Sequence, residues 1–265
     1  MPSVSNIAIG ANMAAAAANK ARHGMNESIA RLSTGIRAMY GGDAAGHSVG
    51  TTMQAQSASF GQAARNVEDG ISYAQMGESV LLEVANLATR LRELGIAFDN
   101  AALLDANQEA ALTAEAALIG DTIKSLVENT KFNTIAVVGT ASATQQTVNF
   151  AALTANTTEV GPNVSITATH TISTADGADG NADTTLAEVA KGLGNIAADL
   201  TALKSFQAAA AATSANMAAA GARLIDTDFA LETANLTKSA ILNQAALAMA
   251  AQANQAQSAI LSVLQ

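Results

Sequence analysis

One seam runs without a break from Leu186 to Leu224: Leu186, Val189, Leu193, Ile196, Leu200, Leu203, Gln207, Ala210, Ser214, Met217, Gly221 and Leu224, in alternating steps of three and four. Only a long helix keeps such positions on one side, and so regular a repeat argues for coiled-coil packing. The seam changes from Leu, Ile and Val to Ala, Ser and Gly along its length. Its lower half therefore requires a partner helix that comes close.

The same spacing recurs elsewhere. Met25, Ile29, Leu32, Ile36 and Met39 form a seam that Gly41-Gly42-Asp43 interrupts. A second helix is marked by Phe60, Ala64, Val67, Ile71 and Ala74, and continues through Leu81, Val84, Leu87, Leu91, Leu94 and Phe98. At about 1.5 Å per residue these positions span close to 60 Å, longer than a helix in a compact globule usually runs. Asp99-Asn100 supplies a turn before a third helix over residues 105–129, and Asp226-Thr-Asp228 can cap a last one. On that last helix Leu242, Ala245, Met249, Gln252, Ala256, Ile260 and Val263 form the stripe. Thr184 or Thr185 is the expected N-cap of the helix that carries the long seam, with Glu188 in its first turn.

Between these helices the character changes. Over residues 130–183 Thr is frequent and Lys and Arg nearly vanish. Val164, Ile166, Ala168, His170 and Ile172 alternate with Ser and Thr as in a half-buried strand, and Val148 and Phe150 point to a shorter one. Gly161-Pro162-Asn163 and residues 176–181 read as turns or loops. The fold class is mainly α, with a small central β region.

Composition narrows the function. The chain is 49% hydrophobic but 3% aromatic, because Ala inflates the count. An Ala core buries about 0.8 kcal/mol per methyl, against about 1.5–3 for a Leu or Ile side chain. Residues 2–19 and 239–265 carry no charge and are rich in small residues. Short helices of that kind are marginal in water, so both ends are expected to order against copies of the same chain. A net charge of -9 excludes a nucleic-acid partner, which needs clustered cations. The charge-free stretch 239–265 is long enough to span a bilayer, but its Asn and Gln residues make a membrane span costly. No basic region followed by an apolar block marks a Sec-type leader at the N-terminus. Zero Cys excludes disulfides and thiolate metal sites. His23, His47 and His170 are scattered, Asp226, Asp228 and Glu232 lack the Gly and terminal Glu of a calcium loop, and Gly41-Gly42 lacks a following Lys. No catalytic, cofactor or metal site is expected, and the chain reads as a non-enzyme.

Several stretches resemble bacterial flagellin. Residues 27–37, Glu-Ser-Ile-Ala-Arg-Leu-Ser-Thr-Gly-Ile-Arg, are similar to the family's N-terminal signature, and Gly42-Asp-Ala-Ala-Gly46 to the turn that follows it. Residues 64–75, 89–94 and 131–133 match as well, and 222–232, 241–245 and 251–255 match the C-terminal signature. The resemblance implies a long antiparallel helical bundle or coiled coil built from both chain ends. Residues 1–45 and 222–265 would form a terminal coiled-coil layer, 46–132 and 184–221 a long-helix layer, and 133–183 a short variable β segment with room for a hairpin-scale element only.

As function, the resemblance implies a secreted, extracellular filament subunit for motility that polymerises with itself after type III export. Met25, Ile29, Leu32, Ile36, Leu242, Met249, Ile260 and Val263 would be its polymerisation seams. Its further partners would be the export apparatus and chaperone, the filament cap and the hook-filament junction proteins. A hook-filament junction protein is the alternative, since it shares terminal heptads. The resemblance also implies that Arg90, Leu94 and Glu115 lie on an inter-subunit surface that packs against neighbouring protofilaments and that Toll-like innate receptors recognise in many family members; the three match the recognised type, beside a variation at Gly95-Ile-Ala.

Overall fold

The computed structural model describes residues 2–37, 43–139, 146–149, 157–162 and 177–264. Five helices dominate: α1 (Pro2–Thr34), α2 (Ala44–Phe98), α3 (Ala106–Asn129), α4 (Ala178–Ile225) and α5 (Phe229–Leu264). Among the described residues, four short strands lie between α3 and α4: β1 (Lys131–Phe132), β2 (Ile135–Ala136), β3 (Gln146–Asn149) and β4 (Thr157–Val160). The fold is mainly α, with long antiparallel helices from both chain ends and a small central antiparallel β region. The alternating segment 164–173 and Phe150 lie outside the described residues.

The chain divides into two compact units, residues 56–216 and residues 1–55 with 217–265. The first is organised around large aliphatic side chains. Val67, Leu81 and Val84 of α2, Ile123 and Val127 of α3, and Ile196 and Leu203 of α4 are at most 1% exposed and share one cluster. Val67, Leu81, Val84, Ile196 and Leu203 are seam positions of the sequence, so on α2 and α4 the 3–4 repeat has packed as it reads. α2 and α4 run antiparallel, with Gln207 of α4 donating to Glu68 of α2 at 2.8 Å. The Asp105 carboxylate caps α3 by accepting from the Asn107 and Gln108 amides, while the Gln108 side chain accepts from the Asp105 N–H. Those three bonds satisfy backbone donors that the start of the helix leaves unpaired.

The β elements close this core. β1 and β2 pair Lys131 with Ala136 and Phe132 with Ile135 across a turn in which Asn133 (φ 46°) and Thr134 (φ 70°) are left-handed. Such turns match the twist of a two-residue hairpin. β3 and β4 pair antiparallel from Gln146–Val160 to Asn149–Thr157. Val137, Val138 and Val160 are fully buried in the same cluster, and Tyr73 sets its ring edge against Phe132 with centroids 6.0 Å apart. The Tyr73 hydroxyl donates to the Ala136 carbonyl at 3.1 Å, and burial pushes its phenol up to about 12. α4 holds the end of β4: the Gly161 N–H donates to Asp199 and the Asn195 amide to the Pro162 carbonyl.

The expected cap at Thr184 or Thr185 is corrected. α4 begins at Ala178, after Gly177 at φ 78°. Both threonine hydroxyls donate back to carbonyls four residues earlier, Gly180 and Asn181, as in a helix interior. Burial decides the start, because Ala178 and Ala182 are fully buried against Leu91, Leu94 and Ala116.

The second unit is built differently. α1 and α5 pair antiparallel, with Arg31 ion-paired to Glu232 at 3.6 Å at one level and Gly24 beside Ser239 at another. Among the described side chains, the buried residues of α1 are Ala14, Ala18, Ala21 and Ser28, and those of α5 are Glu232 and Ala246. A Cβ added at Gly24 would sit 3.1 Å from the Ser239 hydroxyl, so the backbones approach closely. The start of α2 meets the end of α4 in the same manner. A Cβ at Gly50 would come within 2.5 Å of Ile225 Cγ1, and one at Gly221 within 3.2 Å of the Gly50 carbonyl.

Candidate assembly surfaces

The α1 exit is pinned to the α4–α5 junction by a short bridge. Gly35 at φ 72° ends α1, its N–H returning to the Arg31 carbonyl. Arg37 N–H donates to the Ile225 carbonyl at 2.7 Å and Thr227 N–H to the Gly35 carbonyl at 2.9 Å, an antiparallel pairing of Ile36 with Asp226. The Arg37 guanidinium reaches Asp43 at 2.7 Å and the Leu224 carbonyl at 3.0 Å. Asp43 also accepts from the Gly46 N–H. That bond and Arg37 hold its carboxyl below the ordinary carboxylate range. Asp228 caps α5 by accepting from Ala230 and Leu231. Of the expected seam residues in this region, Met25, Leu32 and Ile36 are half-buried and Ile29 is exposed.

On α5 two stripes compete, and the small one faces inward. Glu232, Leu236, Ser239, Asn243, Ala246, Ala250 and Ala253, again in steps of three and four, are its covered positions. Small residues win because they let the two backbones approach and still bury what they have. The larger stripe is left outward, with Leu242 51% and Met249 65% exposed. The side chains of Ile260 and Val263 lie outside the described residues. Sequence reasoning missed other large apolar side chains of α1 and α5, Ile9, Met13, Phe229, Leu231, Ile241 and Leu247, all more than half exposed. Their signal was available: each is a large apolar side chain off the heptad, in a segment otherwise made of small residues.

Among the described residues, four buried side-chain polar atoms have no hydrogen-bond partner: His47 Nδ1, Thr227 Oγ1, Glu232 Oε1 and Asn243 Oδ1. All four belong to residues 1–55 and 217–265. Buried polar groups are ordinarily paired, and an orphan costs about 1–3 kcal/mol. Glu232 Oε1 keeps its ion pair with Arg31 at 3.6 Å, so the uncompensated groups of this unit are those of His47, Thr227 and Asn243.

Arg90 and Glu115 come together. Arg90 Nε and Nη2 donate to Glu115 Oε1 at 3.0 and 2.8 Å, joining α2 to α3, and Nη1 reaches Glu93 at 3.1 Å. These carboxylates, Glu115 foremost, raise the guanidinium's pKa. Leu94 is directed elsewhere: it is 3% exposed and packs with Leu91 and Ala116 beneath the pair. Arg92 joins α2 to α4 through Asp183 at 2.8 Å. Among the described residues no group of three or more His, Asp or Glu is placed to hold a metal ion, and no helix is long and apolar enough to cross a membrane. His23 is exposed and His47 half-buried, while His170 lies outside the described residues.

Comparison with known proteins agrees with this architecture. The family model for the bacterial flagellin N-terminal helical region matches residues 5–143, and that for the C-terminal helical region matches residues 178–264. A flagellin of Halalkalibacterium halodurans is 33% identical over 88% of this chain and 89% of its own length. A flagellar filament core protein of Brachyspira hyodysenteriae is 30% identical over 91% and 92%, and a flagellin of Bacillus subtilis 28% identical over 88% and 90%. With both helical regions matched in order and relatives covered nearly end to end, this chain belongs to the bacterial flagellin family.

Proposed function

We propose that this chain is a structural subunit of the bacterial flagellar filament, exported unfolded by the type III route and polymerised outside the cell through contacts between copies of itself. The observation that carries the reading is the α1–α5 pair, which buries Ala and Ser within the subunit and leaves Leu242 and Met249 exposed. Burying such a side chain contributes about 1.5–3 kcal/mol. Several of them per contact offset an association cost of about 4–15 kcal/mol. Patches on different faces make heterologous contacts, which propagate as an open helix.

In this reading residues 1–45 and 222–265 form the inner layer and 46–132 with 184–221 the outer one. The β segment 133–183 lies at the filament surface. Met25, Ile29, Leu32, Ile36, Leu242, Met249, Ile260 and Val263 line contacts between copies. An export chaperone, the filament cap and the hook-filament junction proteins are the accessory partners. Arg90 and Glu115, with Leu94 supporting their helices, form the surface on which a Toll-like receptor would dock.

The decisive experiment is seeded growth. Full-length protein added to sheared fragments of its own filaments is expected to elongate them, followed by light scattering and electron microscopy. Removal of about 30 residues from either end is expected to abolish growth. Growth that survives the removal sinks the proposed mechanism. An intact chain that binds fragment ends without lengthening them would instead be a junction protein.

A further inference from the structure

The chain has no Cys, so its eight methionines are its only sulfur. They are unevenly placed: all but Met76 fall within residues 1–55 and 217–265. Two of them, Met13 on α1 and Met249 on α5, are 68% and 65% exposed, whereas Met25, Met53, Met76 and Met217 are half-buried. The antiparallel register set by Gly24 beside Ser239 and Arg31 beside Glu232 carries Met13 to the level of Met249. Two open thioethers thus lie at one height of the α1–α5 pair, on the large apolar residues that the subunit itself does not cover.

We infer that Met13 and Met249 are a paired oxidation site that switches assembly: in the free subunit they take one oxygen each from a peroxide-class oxidant, and as sulfoxides they block docking of the next copy. The step balances. A sulfur lone pair forms the S–O bond as the peroxide O–O bond breaks, the proton on the transferred oxygen passes to the departing one, sulfur is oxidised by two electrons, and hydrogen peroxide leaves as water. The product replaces a flexible apolar group with a polar, chiral one, which disrupts Met-lined interfaces and is reversed by methionine sulfoxide reductases. Burial of that dipole without a partner is costly. The switch rests on the filament reading, since the face it blocks is the one proposed to join copies. Once joined, the sulfurs are covered, and the assembled state is protected where the free one is not.

The test treats full-length protein with hydrogen peroxide, maps each methionine by mass spectrometry, and then measures growth on untreated filament fragments. Met13 and Met249 are expected to convert several-fold faster than Met76 in the free chain and to be protected in filaments. Growth should fall about tenfold or more, the factor an unpaired buried polar group imposes on association. Methionine sulfoxide reductases should restore it. Each variant is read against its own untreated rate: Met76→Leu should lose growth as the parent does, and Met13→Leu with Met249→Leu should not. Oxidised protein that grows at its untreated rate, a double variant that loses as much as the parent, or Met76 converting as fast as the other two overturns the inference alone. Untreated chain that fails to grow overturns the filament reading, and the inference with it, before any peroxide is added.

Discussion

Residues 56–216 hold Leu81, Leu91, Ile196 and Leu203 at 1% exposure or less, whereas residues 1–55 with 217–265 hold Ala14, Ala18, Ala21 and Ala246 and leave Met13, Leu242 and Met249 more than half open. Both units are made of antiparallel helices with the same 3–4 periodicity. What separates them is where the large side chains point. In the first, most of them supply the unit's own core, with Leu103 and Leu118 left open. In the second, Ile225 is buried, but small residues close the α1–α5 pair and its large side chains are left mostly exposed. The same repeat can therefore encode a finished fold or a half-finished interface, and residue size along the repeat tells which.

The contrast is broken most directly in the finished unit. Leu81→Ala removes a fully buried side chain among Val67, Val84 and Ile196, and is expected to cost about 2–5 kcal/mol of unfolding free energy. Denaturant titration of the free subunit measures it. Leu242→Ala, on a side chain already 51% exposed, should stay within about 0.5 kcal/mol in the same assay. Equal losses for the two variants would mean that the units are not stabilised differently.

Sequence reading reached the helices because seam residues such as Leu81, Val84, Ile196 and Leu203 carry both period and size, and tertiary packing used them as written. The Asp228 cap was legible for a local reason: a carboxylate before an apolar run satisfies the helix's own amides. The start of α4 was not. Thr184 and Thr185 look like caps, but the burial of Ala178 and Ala182 against Leu91 and Leu94 extends the helix past them, and only tertiary contact encodes that. The β1–β2 hairpin escaped because Thr134, a β-branched residue, occupies a left-handed position that propensity reserves for Gly or Asn. For the candidate surface, Leu242 and Met249 could be named from their spacing, but that the smaller stripe of α5 faces α1 depends on the close approach at Gly24 and Ser239, which no periodicity records.

A smaller effect sharpens the picture of the unfinished unit. Its helices approach where side chains are missing, so adding one should cost energy even though Gly is a poor helix former. Gly50→Val would drive a side chain into Ile225, a clash expected to cost about 1–3 kcal/mol. Hydrogen exchange of the amides in α1 and α5 should rise, because the bridge at Ile36 and Asp226 adjoins the displaced Ile225. Gly194→Ala is the control: nothing lies within 4 Å of the added Cβ, so helix propensity alone acts and stability should rise by up to about 1 kcal/mol. If both substitutions stabilise, close approach is not what shapes this end of the molecule.

The smallest effect concerns charge. Arg90 and Glu115 meet at 2.8 Å, closer than Arg31 and Glu232 at 3.6 Å, yet their side chains are 51% and 45% exposed against 28% and 8%. Distance favours the first pair and burial the second, and burial should decide. Solvent and salt screen an exposed pair to about 0.2–1 kcal/mol however short it is, so Arg90→Ala is expected to cost no more than that, and less in 1 M salt. Removing Arg31 leaves the Glu232 carboxylate, on a side chain 8% exposed and already without a hydrogen bond on Oε1, to rely on a medium that solvates it poorly. Arg31→Ala should therefore cost more than Arg90→Ala, with weaker salt dependence, in thermal unfolding of the free subunit. The reverse order would show that the α1–α5 pair opens enough for water to reach Glu232. The ends would then be loosely held before any second copy arrives, and the difference between the two units would lie in their motions as much as in their packing.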